Sequence, residues 1–280
     1  MKEYFRGWYF KLQSPERTLA LIPAEHRSDR CDSCSLQIIG ESGAVGAVFP
    51  VDAFRPYRDR FGVDLLGSRF DESGIRLGLR TDRISAEGEI RFGELTPIKY
   101  DIMGPFRFLP LMECRHSVIS MRHRVDGELI VNGDSYQFSN AVGYIEGDRG
   151  RSFPRKYIWT QCCFEDGSLM LSAAEIPIGR FSFIGVIGIV WLHGREYRLA
   201  SYLGARAEIS DGCLGVRQGG YLLCARLIDR NPQPLSAPVC GEMTRTIHES
   251  AACRAEYQFY SDGRELISFV SERASFESEW

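Results

Sequence analysis

The sequence has no apolar run long enough to cross a membrane as a helix. Its longest, FSFIGVIGIVWL from Phe181 to Leu192, is twelve residues, against the ~18 or more that a spanning helix needs. The opening MKEYFRGWYFKLQ lacks the extended apolar segment of a secretory signal. Charge of one sign is also lacking. There are 34 Lys and Arg against 37 Asp and Glu, a net charge of -3, with neither half strongly biased, which argues against a nucleic-acid surface or a basic membrane-binding tail. No long window carries the i, i+3, i+4, i+7 apolar stripe of an amphipathic helix.

Familiar chemical signatures are missing as well. The five histidines, His26, His116, His123, His193 and His248, do not fall at HExxH spacing, and there is no GxSxG, P-loop or strand-following GxGxxG. Hydrolase, kinase and dehydrogenase readings lose their usual support. Cys31-Asp32-Ser33-Cys34 has a metal or redox spacing, but a tetrahedral zinc site needs a second ligand pair and a thioredoxin-like motif needs a βαβ context. No metal is therefore expected. Nine cysteines, two of them adjacent at Cys162 and Cys163, suit a reducing cytoplasm with free thiols better than a disulfide framework.

What is present is β-type patterning. Apolar residues make up 44% of the chain, enough for a real core, and glycine is abundant at 28 of 280 residues, above the average of roughly 7%. Short β-rich runs are punctuated by X-Gly turns. Asn132-Gly133 between ELIV and SYQF suits a type I′ hairpin. Asp166-Gly167, His193-Gly194, Asp211-Gly212, Gly219-Gly220 and Asp262-Gly263 repeat the signal. The fold class is all-β with little helix, and so many strands argue for two packed antiparallel β-barrel units. Charge and turn density rise over 132–140, which places the seam between an N-terminal unit, 1–138, and a C-terminal unit, 139–280.

Two stretches are dense in chemistry. In DIMGPFRFLPLMECRHSVISMRH, Gly104-Pro105 and Pro110 stiffen the first part. The second part alternates as a strand, with Glu113, Arg115 and Ser117 on one face and Cys114, His116 and Val118 on the other. In GYIEGDRGRSFPRKYIWTQC, Tyr144, Glu146 and Asp148 share a strand face, Gly150 and Pro154 force an irregular turn, and Tyr157, Trp159 and Gln161 share a face beyond it. Two readings follow. If those faces look inward, aromatic walls and an acid line a cavity, and an acid among aromatics has a raised pKa. If Arg149, Arg151, Arg155 and Lys156 engage the acids, the stretch is a salt-bridged turn.

YFRGWYFKLQ, IMGPFRFLPLMECRHSVISM, GYIEGDRGRSFPRKYIWTQC, AEIPIGRFSFIGVIG and GEMTRTIHES together resemble the tocopherol cyclase family over nearly the whole chain. The resemblance covers Tyr144, Glu146, Asp148, Gly150, Phe153, Pro154, Trp159 and Gln161. The one departure is Arg149, where family members often have Trp. The resemblance implies lipocalin-like barrels akin to the carotenoid hydratase group. It also implies acid-catalysed ring closure of a prenylated hydroquinone to a chromanol, without a cofactor. Glu146 or Asp148 would be the acid, with Glu113 in reserve. Tyr144, Trp159 and Tyr157 would wall the site, Gln161 and His116 would orient the phenol, and Arg149 and Phe153 would complete the substrate contacts. The prenyl tail would lie in an apolar barrel. The expected partner is an apolar isoprenoid or prenylquinol lipid, with no nucleic acid and with transient membrane contact for lipid capture. The other readings are a lipocalin-like carrier without turnover and an alkene hydratase, in which water replaces the phenol.

Overall fold

The computed structural model describes residues 3–109, 112–178 and 180–280. Pro110, expected to stiffen the approach to the His116 strand, and Gly179, within the AEIPIGRFSFIGVIG motif, lie outside them.

The chain forms two large antiparallel sheets and, among the described residues, only short 3-10 helices. The eleven strands of the first sheet are β1 (Tyr4–Gln13), β2 (Thr18–Arg27), β3 (Ser33–Gly40), β4 (Ala44–Pro50), β5 (Phe54–Pro56), β6 (Gly62–Leu65), β7 (Ser68–Asp71), β8 (Gly74–Arg80), β9 (Ser85–Phe92), β10 (Cys114–Val131) and β11 (Asp134–Gly150). Strands β1 to β4 lie side by side, as do β5 to β11, and pairing of β1 with β11 joins the two runs. The outermost strands, β4 and β5, are consecutive in the chain and linked by the 3-10 turn Val51–Ala53. The second sheet repeats this logic. Its strands include β12 (Tyr157–Phe164), β13 (Gly167–Ile178), β14 (Phe181–Leu192), β15 (Arg195–Ala200) and β16 (Arg206–Ser210), then β19 (Gln233–Val239), β20 (Glu242–Ser261) and β21 (Arg264–Ser278). Pairing of β12 with β21 joins its two runs, and the edges β15 and β16 are consecutive through the 3-10 turn Ser201–Leu203.

The turn signals are placed as the sequence suggests. Val131 pairs with Asp134 across Asn132-Gly133, with φ of 51° and 91° at the two turn residues, the left-handed values that a type I′ turn requires. The charge-rich stretch 132–140 is thus a hairpin inside the first sheet and not a linker. Strand β11 runs unbroken through 138 and 139, and the chain passes between sheets only after Gly150, over residues 151–156.

Each sheet encloses its own apolar core. Phe10, Leu12, Leu36, Phe70, Leu129 and Ile145 belong to the first, and Ile158, Leu171, Leu199, Tyr257, Phe259 and Phe276 to the second. A third cluster lies between the sheets, where Tyr9, Val118, Tyr144, Tyr157, Trp159, Leu235 and Ile247 meet. Strand alternation explains this division. On β1, Phe10 and Leu12 point into the first core, while Tyr9 and the fully buried Lys11 point toward the second sheet. Central strands buried on both faces make the two halves one packed body.

Candidate active site

A cavity of about 180 Å³ opens between the sheets. A ligand space was expected inside a barrel, whereas this cavity is walled by the facing outer surfaces of the two sheets, behind which each sheet packs its own core. Aromatic and aliphatic groups dominate the walls, among them Phe5, Trp8, Phe153, Tyr157 and Trp159.

The wall from the first sheet is set by register. On β11, Glu146 stands opposite Tyr9 of β1 and Val118 of β10, and Asp148 stands opposite Gly7 and His116. A Cβ on Gly7 would come within 3.0 Å of Ala24 Cβ on the neighbouring strand. His116 is held between the two acids. Its Nδ1 lies 3.0 Å from Asp148 Oδ1. Its Nε2 lies 3.2 Å from Glu146 Oε2, an ion-pair contact whose angle leaves Nε2 without a hydrogen-bond partner. Burial opposes charging of His116, but the negative charges of Glu146 and Asp148 outweigh it and raise its pKa well above the ordinary value of 6.5. The two neighbouring acids thus favour the protonated ring of His116. Glu146 Oε2 also accepts Tyr144 Oη at 2.5 Å and Trp159 Nε1 at 3.2 Å. Cys114 Sγ donates to Asp148 at 3.4 Å, and Asp148 is the more open acid, with its side chain 24% exposed against 6% for Glu146.

The wall from the second sheet carries another acidic pair. Glu277 of β21 stands between Trp159 of β12 and Glu249 of β20 in cross-strand register. Tyr9 Oη donates to Glu249 Oε1 at 2.6 Å, and Tyr157 Oη donates to Glu277 Oε1. Burial pushes the Glu249 carboxyl up to about 7. Burial and then the neighbouring Glu249 raise that of Glu277 well above 4.5. At the site, two hydrogen bonds among those that join the sheets run in opposite senses: Tyr9 of the first sheet reaches Glu249, and Trp159 of the second reaches Glu146. Their rings meet edge to face at 5.4 Å. Neither sheet holds the site alone.

The sequence-derived residues divide accordingly. Glu146, Asp148, His116, Phe153, Tyr157 and Trp159 line the cavity. Tyr144 is fully buried behind it and acts through Glu146. Three others stand away from it. Glu113 is exposed just before β10, and its carbonyl accepts from Arg151 N and Ser152 N, so it is no reserve acid. Arg149 is exposed on the face of β11 opposite Asp148 and does not border the cavity. Alternation along the strand takes it out of the site, and its replacement of Trp leaves the cavity wall unchanged. Gln161 is fully buried farther along the interface, with Nε2 on Cys163 Sγ and Ser168 Oγ. Sequence reasoning missed Gly7, Tyr9, His26, Glu249 and Glu277. A signal existed for three of them, since Gly7 and Tyr9 fall within the motif YFRGWYFKLQ and Glu249 within GEMTRTIHES.

Among the described residues, His116, Glu146 and Asp148 are the group whose metal-ligating atoms lie within 4.8 Å of one another. Those atoms already bind each other, Tyr144 and Trp159, so a metal would have to displace existing bonds. All nine cysteines are free thiols, Cys31 exposed and Cys34 buried. No helix among the described residues is long and apolar enough to cross a membrane.

Comparison with known proteins agrees with the architecture. A family model described as tocopherol cyclase-like matches residues 83–199. No curated protein matches the sequence significantly. Among solved structures, an AttH protein from Nitrosomonas europaea aligns over 100% of this chain and 93% of its own, at 11% identity and TM-score 0.57. CghA in complex with Sch210972 aligns over 99% and 89%, at 8% identity and TM-score 0.65. Kievitone hydratase from Nectria haematococca aligns over 99% and 89%, at 9% identity and TM-score 0.55. At these identities the likeness is one of fold. The family match over 83–199 spans the segment that supplies His116, Glu146, Asp148 and Trp159, so over that segment the chain is similar to the tocopherol cyclase-like family, and its fold is like that of these structures.

Proposed function

We propose that the protein is a tocopherol cyclase-like enzyme that protonates an alkene of an apolar isoprenoid, a prenylated hydroquinone being the model substrate, and closes it to a chromanol. The observation that carries this reading is His116 bonded to Asp148 at the wall of an apolar, aromatic cavity, with both neighbouring acids favouring its protonated form. The proton held between His116 Nδ1 and Asp148 is delivered from Asp148 to the alkene carbon, whose π electrons form the new C–H bond. The resulting cation faces Trp159 and Tyr157, whose ring faces attract positive charge, and the net negative His116–Glu146–Asp148 cluster. The phenolic oxygen closes onto the cation, and its proton returns to Asp148. The reaction is an isomerisation and needs no co-reactant. Glu146 positions His116 and is itself fixed by Tyr144 and Trp159.

The test is incubation of the purified protein with a prenylated hydroquinone and chromatography of products of unchanged mass. Asp148→Asn is expected to lower turnover by about 100-fold or more, the usual contribution of a positioned acid, with substrate binding retained. A product heavier by one water would identify a hydratase instead. Recovery of unchanged ligand from wild type and variant alike would identify a carrier and refute the enzymatic reading.

A further inference from the structure

The cavity wall opposite His116 holds groups that this chemistry does not use. Glu249 and Glu277 are direct cross-strand neighbours, 4% and 6% exposed, and both line the cavity. Each accepts one hydrogen bond, from Tyr9 and Tyr157 respectively, and among the described residues neither touches a cation. The charged groups around them do not compensate. Lys11 Nζ is turned to Arg273 O at 2.8 Å. Arg245 is bound to the carbonyls of Pro154 and Arg155 and to Glu279. Glu146 and Glu279 add only negative charge. Two carboxyls side by side in apolar surroundings cannot both ionise without a large cost. The favoured state is the neutral acid, which has one O–H to donate once the tyrosine has taken an acceptor site.

A second polar group on the wall is also unfilled. His26 is 2% exposed, its Nε2 is bonded to Ser35 Oγ at 2.9 Å, and its Nδ1 has no partner. Unmet hydrogen-bonding groups at this depth are uncommon. They make a site for something other than pure hydrocarbon.

We infer that Glu249 and Glu277 form a carboxylic acid pair that donates hydrogen bonds to a carbonyl-type oxygen on an otherwise apolar ligand seated in the cavity. The inference rests on the reading that this cavity is the ligand site, but it does not require turnover. The pair is a recognition device, separate from the proton held by His116 and Asp148. It makes binding dependent on pH, because ionised carboxylates accept hydrogen bonds and cannot donate them.

The experiment is equilibrium dialysis of the full chain against 2-methyl-1,4-naphthoquinone and 2-methylnaphthalene, at pH 6 and pH 9. The quinone is expected to bind about tenfold more tightly than the hydrocarbon at pH 6, the scale of a buried hydrogen bond, and to lose that preference at pH 9. In Glu249→Gln/Glu277→Gln the amide N–H groups still donate, so the preference should persist at both pH values. In Glu249→Leu/Glu277→Leu it should vanish at both. Equal binding of the two probes by wild type at pH 6, or a preference undiminished at pH 9, would overturn the inference whether or not the variants fold. A quinone preference without any cyclisation would sink the cyclase reading and leave this one standing; cyclisation without the preference would do the reverse.

Discussion

Replacing Glu249 by Gln tests the electrostatics of the cavity through stability alone. Glu249 is 4% exposed, and burial lifts its pKa from an ordinary 4.5 to about 7. A carboxyl raised in this way contributes fully to stability below its unfolded pKa, and the contribution is lost as pH rises through the folded value. The shift, at about 1.4 kcal/mol per unit, amounts to about 3 kcal/mol by pH 8 and to less than about 1 kcal/mol at pH 5. Gln carries no charge to bury, and its carbonyl still accepts the Tyr9 hydroxyl. The variant should therefore match wild type near pH 5 and exceed it by about 3 kcal/mol at pH 8, roughly 6 °C in Tm for a chain of this size. The wild-type profile by itself does not reveal this. His26 and His123 are buried, with pKa values lowered to about 4 and about 3, and they act in the opposite sense: their contribution is present above 6.5 and lost as pH falls. Only the difference between variant and wild type at each pH isolates Glu249. Thermal or urea unfolding followed by circular dichroism supplies it, and a difference that does not grow between pH 5 and pH 8 would refute the reasoning.

Other perturbations follow from single contacts. His123→Phe should remove part of the acid limb, recovering about 3 kcal/mol of the stability that wild type loses between pH 6.5 and pH 4; unfolding midpoints that fall in parallel would count against it. Gly241 has a φ of 78°, and a Cβ there would lie 2.0 Å from Arg27 O. Gly241→Ala should then cost about 2 kcal/mol or more in urea unfolding, and an unchanged midpoint would contradict the close approach. Trp159→Phe keeps the ring but removes the N–H on Glu146 Oε2. It should slow turnover about tenfold without weakening 2-methylnaphthalene binding, and equal losses in both would indicate a packing defect instead.

Much of this architecture was legible because turns and alternation are local properties. Asn132-Gly133, His193-Gly194 and Asp262-Gly263 each close a hairpin, and the face assignments of Cys114, His116 and Val118, and of Tyr144, Glu146 and Asp148, survive folding. What strand alternation cannot say is which surface a face meets. The same period-two pattern describes a barrel interior and a sheet-to-sheet interface, so a cavity was expected inside a barrel where the one lined by these residues lies between two sheets. Glu113 illustrates a related difficulty. It precedes the first paired residue of β10, where the pleat no longer fixes its direction. Glu249 and Glu277 were hidden because their meaning comes from pairing across strands and from a tyrosine on the other sheet.

The cavity is built by both sheets, and its hydrogen bonds make their dependence on each other testable. Tyr9 Oη reaches from the first sheet to Glu249, and Trp159 Nε1 reaches from the second to Glu146, with the two rings in contact. Were the sheets to separate, four buried polar groups would lose partners together, at a cost of about 1–3 kcal/mol for each group left unsatisfied. Tyr9→Phe and Trp159→Phe should therefore be coupled. Each alone removes one bridge, and the second should cost less once the first has loosened the interface. A double-mutant cycle in urea unfolding should yield an interaction energy of about 0.5 kcal/mol or more. Strict additivity would mean that other contacts hold the sheets together, among them the bonds of Lys11 to Arg273 O and of Gln37 to Ser236, and that the crossed bonds serve only to aim Glu146 and Glu249 into the cavity.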